Sequence, residues 1–141
     1  MILNFLLDKI HIERKNIPKS NIEAKNTLRI LNITEESLEP LSKEKVLKLN
    51  FIYNIFYEPD IATLEMTGNI VYKTDEKKSK EILNEWNKEK KINPGVSSVI
   101  FNHILTRCSV KALRLAQELN LPPHIPFPRI ALKTEQAKKA S

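Results

Sequence analysis

The sequence predicts an α+β domain, with strands in an antiparallel sheet and helices packed on one face. Three observations predict it. From Val46 to Tyr57 apolar residues hold every odd position. From Ile61 to Lys73 a second alternating stretch returns after a Glu58-Pro59-Asp60 turn. The pattern then changes from the period of a strand to that of a helix and keeps it to Leu119. Strand patterns followed by helix patterns, rather than interleaved with them, segregate the helices to one side of an antiparallel sheet.

Leu6 to Lys15 reads as a first strand, with Leu6, Ile10 and Ile12 on one parity and Lys9, His11, Glu13 and Lys15 on the other. Asn16 to Lys25 is polar and contains a proline, so it is a loop. Asn26 to Thr34 is a second strand with Leu31 and Ile33 on one side and Leu28 and Ile30 on the other, which leaves both faces partly apolar. Glu35 to Glu44 is acidic and turn-like around Pro40. In the third strand Leu47, Leu49, Phe51, Tyr53, Ile55 and Tyr57 specify one buried face. In the fourth, Ala62, Leu64, Met66, Gly68, Ile70 and Tyr72 face the same way. These two strands make a long hairpin. Gly68, one of only two glycines, points to a bulge or to the close approach of another backbone.

Asp75 caps a charged helix from Glu76 to Lys91, whose apolar patch is Ile82, Leu83 and Trp86. Asn93-Pro94-Gly95 is a breaker. The next helix, from Val96, runs for about 24 residues, or about 36 Å. Its stripe is Ile100, Ile104, Cys108, Ala112, Leu115 and Leu119, widened by Val96, Phe101, Leu105 and Ala116. Arg107, Lys111, Arg114 and Glu118 take the other side. Leu121-Pro122-Pro123 ends it, because the residue before a proline leaves the α region.

Leu121 to Ile130 is an apolar strap. It holds Pro122, Pro123, Pro126 and Pro128, with Leu121, Ile125, Phe127 and Ile130 between them. Prolines keep such a segment extended and lower the entropy cost of presenting its side chains. It either covers the core or forms one wall of an apolar groove. The last residues, from about 133, are polar and fray.

A chain of 141 residues accommodates one domain with one core, here residues 1–141. Its net charge of +6 and pI of about 9.4 permit contact with nucleic acid or anionic surfaces without requiring it. The single cysteine, Cys108, sits on the apolar stripe, so no disulfide forms within the chain and a reducing compartment suits it. The N-terminus lacks the basic lead of a signal peptide and Asp8 interrupts its apolar run. No stretch reaches the roughly 18 apolar residues of a membrane span. A cytoplasmic protein is expected.

Catalytic sets are not visible. His11, His103 and His124 are scattered over a strand, a helix flank and the strap, away from metal-ligand spacing. Two glycines cannot build a phosphate-cradling loop, and no G-x-S-x-G occurs. The expectation is a protein that is not an enzyme, with no metal and no cofactor.

The element order, the segments KIHIERK, VLKLNFIYNIFYE and ATLEMTGNIVY, and above all PGVSSVIFNHILTRCSVKALRLAQELNLPPHIPFPRI resemble the SecB family of export chaperones. The likeness spans about residues 8 to 130. It implies a four-stranded antiparallel sheet with helices on one face, assembly into dimers and a dimer of dimers, and no use of ATP. It also implies that unfolded polypeptides are held in apolar grooves. Carried onto this chain, the groove is lined by Leu121, Pro122, Pro123, Ile125, Phe127 and Pro128 of the strap. Phe51, Tyr53, Met66 and Ile70 face it from the sheet, with Trp86 at the rim, though each of the sheet residues is also, and more readily, a plain core residue. Two departures stand out. Bacterial members dock the translocation ATPase through an acidic sheet face, and many carry a metal-binding C-terminal segment. This chain is basic, its tail has neither cysteine nor histidine, and a second C-terminal helix is short or missing. The resemblance therefore does not extend to docking on that ATPase. Family members also guard antitoxins, and the sequence does not separate that task from export.

The residues favour the same reading without the family. A holdase, a chaperone that only binds, needs sequence-tolerant apolar surface rather than a shaped polar pocket. The alternative is a basic nucleic-acid-binding or adaptor module that uses Arg107, Lys111 and Arg114. Against it, the sheet does not interleave basic residues with exposed aromatics.

Overall fold

The central hairpin is built as its alternation dictates. The structure, a computed structural model, describes residues 1–17, 21–37 and 45–124. Strands β1 (Ile2–Arg14), β2 (Glu23–Ser37), β3 (Lys45–Glu58) and β4 (Ala62–Tyr72) precede helices α1 (Glu76–Glu89) and α2 (Pro94–Glu118). The strands form one antiparallel sheet in the order β1-β4-β3-β2. The hairpin of β3 and β4 is thus the middle of the sheet, and the first two strands are its opposite edges. Both helices join the core that lies on one face. This is the α+β arrangement the sequence predicts.

On β3, Leu47, Leu49, Phe51, Tyr53, Ile55 and Tyr57 are all exposed by 1% or less. Each faces a β4 partner across the hairpin: Ile70 opposite Leu49, Gly68 opposite Phe51, Met66 opposite Tyr53, Leu64 opposite Ile55. Cross-strand pairs of this kind, each worth about 0.2–1 kcal/mol, fix the register.

Gly68 is where the sheet cannot carry a side chain. A Cβ there would lie 2.1 Å from the carbonyl oxygen of Leu6. The cause is a bulge in β1 between Leu7 and Lys9 that presses its backbone onto β4. The bare position also lets the Phe5 ring stack on Phe51 at 5.6 Å, across the intervening strand.

Both edges differ from the sequence reading. β1 begins at Ile2, not Leu6, because its first residues pair with the end of β4 at Tyr72. Its bulge changes the parity: Phe5 and Leu7 share the core face with Ile10 and Ile12, while Leu6 turns to the helix-free face and stays exposed. β2 is longer than Asn26 to Thr34 at both ends, and it too carries a bulge, between Ile30 and Asn32. Leu28, Ile30 and Ile33 therefore stand opposite Tyr53, Phe51 and Leu49 on one face, and Leu31 is left exposed. The expectation that apolar residues divide between the two faces of β2 is corrected by that one extra residue.

The helices start where their caps allow. The Asp75 carboxylate accepts a hydrogen bond from the Lys78 N–H at 2.8 Å and opens α1. The Asn93-Pro94-Gly95 breaker is itself the start of α2: Asn93 accepts from the Gly95 N–H at 2.8 Å, and Pro94 fills the first turn, where its missing N–H costs nothing. The deepest row of α2 is Ile100, Ile104, Cys108, Ala112 and Ala116, none above 1% exposure. Leu115 and Leu119 flank it. The helix ends before its prolines. Asn120 takes a left-handed conformation, and the Leu121 N–H donates back to the Ala116 carbonyl at 2.8 Å. Arg14 ties this end to β1 by donating to the Leu119 carbonyl at 3.1 Å.

Candidate functional site

Phe51, Tyr53, Met66 and Ile70 are core residues, exposed by 1% or less. A polypeptide could not reach them without lifting the covering layer from the sheet. The reason is the small-residue row of α2, which sets Cys108 and Ser109 beside Tyr53. The Tyr53 hydroxyl is also committed, donating to the Asn26 side-chain oxygen at 2.9 Å. These four are therefore the floor of the fold and not the open wall of a groove. On the strap, Leu121 is buried, Pro122 half-buried and Pro123 exposed. Ile125, Phe127 and Pro128, with the polar tail, lie outside the described residues.

Trp86 stands where the open surface begins. It is 8% exposed and belongs to the core, yet it also lines a groove of about 530 Å³. The groove lies where β2 meets the two helices. β2 contributes Arg29, Ile30 and Leu31 around its bulge. The end of α1 contributes Trp86 and Lys90, one turn apart, and the short link to α2 adds Lys91 and Ile92. Ser97 and Phe101, also one turn apart, close it from the start of α2. Lys90 lies over the Trp86 ring, its Nζ 5.4 Å from the ring centre. The result is an apolar floor with cations at the rim, within the size range of small-ligand and peptide pockets.

Arg29, Ile30, Leu31, Lys90, Lys91, Ile92 and Phe101 do not stand out in the sequence as a site. Two signals point to them. Ile30-Leu31 breaks the alternation of β2, the mark of a bulge, and Ile92 is a lone apolar residue in a polar link.

A larger cavity of about 660 Å³ lies near the N-terminus, lined by Met1, Glu35, Lys45, Lys73, Asp75, Glu76 and Lys80 among others. Charges of both signs meet there, and the Met1 ammonium donates to the Lys73 carbonyl at 2.7 Å. It offers no continuous apolar floor.

Reactive groups are few. Burial pushes the Cys108 thiol up to about 11, against the opposing pull of Lys111. Burial also pushes Tyr57 up to about 12, with Tyr53 adding to it, and its hydroxyl has no hydrogen-bond partner among the described residues. His124 is buried, neither ring nitrogen has a hydrogen-bond partner among the described residues, and burial lowers its pKa. His11 stands by Glu13 on the exposed edge, and His103 packs against Phe5. Among the described residues no three His, Cys, Asp or Glu side chains converge to hold a metal. Of the α2 cations considered for nucleic acid, Arg107 lies over the Phe5 ring at 5.6 Å. No helix among the described residues is long and apolar enough to cross a membrane.

No family model matches the chain, and a comparison with curated proteins finds no match. Among solved structures the chain is similar to the SecB-like chaperone Rv1957 of Mycobacterium tuberculosis, solved in complex with a ChAD peptide from the Rv1956 HigA1 antitoxin. The TM-score is 0.51 at 12% identity, over 94% of this chain and 91% of that one. At that identity the likeness is one of fold. Nearly end to end, then, this chain takes a SecB-like α+β fold.

Proposed function

We propose that the protein is an ATP-independent chaperone, a holdase that binds unfolded or pre-secretory polypeptides. The observation that carries this reading is the open apolar groove beside Trp86, set against an edge strand of a SecB-like fold. Its floor is aliphatic and aromatic, which grips many sequences by burial rather than one by hydrogen bonding. The adjoining edge of β2 leaves backbone groups free to pair with an extended chain. The solved neighbour holds a peptide from another protein, which supports a polypeptide as the ligand class here. In this reading Pro122 and Pro123 are the described strap residues open to a client, Leu121 is buried beneath them, and Ile125, Phe127 and Pro128 are proposed as further contacts.

Self-association belongs to the same proposal. β1 is the other edge, and Leu3, Leu6 and Ile10 on it are each more than 40% exposed. Three large apolar residues on an unpaired edge strand favour burial against a second copy.

The test is aggregation. The protein should suppress the aggregation of a chemically denatured model protein without nucleotide. No suppression at several-fold molar excess would contradict the reading.

A further inference from the structure

We propose that the groove beside Trp86 selects acidic apolar segments, stretches in which aliphatic or aromatic side chains are flanked by Asp or Glu. The inference rests on the holdase reading and adds the chemistry of the client. The groove's lining carries three cations, Arg29, Lys90 and Lys91, and no carboxylate.

The lysines of the sheet are balanced differently. Every lysine on the described sheet has a carboxylate nearby: Lys9 with Glu65 at 2.6 Å, Lys25 with Glu58 at 3.1 Å, Lys45 with Glu35 at 3.4 Å, Lys48 with Glu36 at 3.7 Å. Arg29, Lys90 and Lys91 have no ion pair among the described residues. The sheet's lysines are thus answered by the protein's own carboxylates, whereas the groove gathers three cations around one apolar floor with no carboxylate among them. The positions are also held. Lys90 ends α1 in a left-handed conformation, its N–H donates to the Trp86 carbonyl at 2.9 Å, and its ammonium lies over the indole. An apolar side chain entering between Leu31 and Phe101 would bring neighbouring carboxylates to this rim. Desolvated by the same burial, such pairs gain strength, and like charges would be rejected.

A single-stranded nucleic acid fits less well. It needs free aromatic faces for its bases. The Trp86 ring is nearly buried and Lys90 covers the face that remains.

Two fluorescent peptides of the same Leu and Phe spacing test this, one with Glu and one with Lys between the apolar residues. The acidic peptide should bind about tenfold tighter at low salt, and the gap should close as salt screens the rim. Lys90→Glu with Lys91→Glu should reverse the preference. Lys91→Glu alone, which keeps the Lys90 contact with Trp86 and leaves Arg29 and Lys90 against one carboxylate, should narrow it. Equal affinities, or tighter binding of the basic peptide, would overturn the proposal. So would an oligothymidylate that binds more tightly than the acidic peptide. A change of oligomeric state in the variant with peptide binding unchanged would overturn it too, because the rim would then serve a second copy. Aggregation assays separate the two levels. If suppression persists while both peptides bind equally, only charge selection fails. If neither peptide binds and suppression is absent, the holdase reading fails with it.

Discussion

The central hairpin and the edge strands of this sheet are made of similar residues and behave differently. β3 and β4 alternate without interruption, and their inner faces are sealed. β1 contains two extra residues, Leu3 and Asp8, and β2 one, Leu31; β1 leaves Leu3, Leu6 and Ile10 exposed and β2 leaves Leu31. A bulge costs a strand its regular ladder and re-aims the side chains beyond it. The middle of the sheet is therefore sealed, and its borders keep apolar side chains exposed. The groove lies at one border, where the bulge of β2 at Leu31 places Ile30 and Leu31 together in its lining.

The largest effect is expected at Gly68. Gly68→Ala sets a methyl against the Leu6 carbonyl and should cost at least about 3 kcal/mol in urea denaturation. The same change at Gly95 meets only the Asn93 side-chain oxygen at 3.2 Å, in a helix where alanine is favoured. It should stay within about 1 kcal/mol of the parent. Equal losses at both sites would contradict the close approach of β1.

The next pair sets centre against edge directly. Phe51→Ala should lose about 3–5 kcal/mol, since it removes a fully buried ring. Leu31→Asp should change stability by about 0.5 kcal/mol or less, yet weaken suppression of aggregation. If Leu31→Asp destabilises as Phe51→Ala does, the edge is core and the contrast is lost.

Smaller effects probe the burial of polar groups. His124 resists protonation when folded, because burial lowers its pKa from 6.5. The unfolded chain takes up the proton first as pH falls, so this group costs no stability above pH 6.5 and an increasing amount below it. The loss levels off once pH passes below the folded-state pKa. Midpoints of denaturation measured across that window should fall with pH, and His124→Leu should flatten the fall. Smallest of all is the change on blocking thiols. Cys108 is fully buried with a thiol pushed up to about 11, so the native protein should react with iodoacetamide far more slowly than the denatured chain.

The two regions also differ in how much of them the sequence discloses. Along β3 and β4, parity names the sealed face from Leu47 to Ile70, because nothing interrupts the period, and only Val46 and Asn69 are buried out of phase with it. Asp8 and Leu31 defeat the same rule on the edges. An inserted residue shifts parity without changing composition, so Leu6 reads as core and is exposed. Gly68 is the exception: its rarity points to a close approach of another backbone, and β1 is that backbone. The groove is harder to see. Leu31, Trp86 and Phe101 are distant in sequence and meet only through sheet order and the turn between the helices. Phe51, Tyr53, Met66 and Ile70 enter the groove only through the family resemblance; their periodicity marks an apolar face, which suits core as well, and does not show what covers it. A helix with Cys108, Ala112 and Ala116 on its inner row covers this one closely.

One measurement tests the account most directly. A photoreactive residue at position 31, on the groove, is compared with one at position 53, in the core, and one at position 67, on the helix-free face. Each protein is illuminated with a denatured client. The account predicts strong crosslinking from position 31 and little from 53 or 67. Comparable crosslinking from 67, or none from 31 while aggregation is still suppressed, would place the binding surface elsewhere and contradict it.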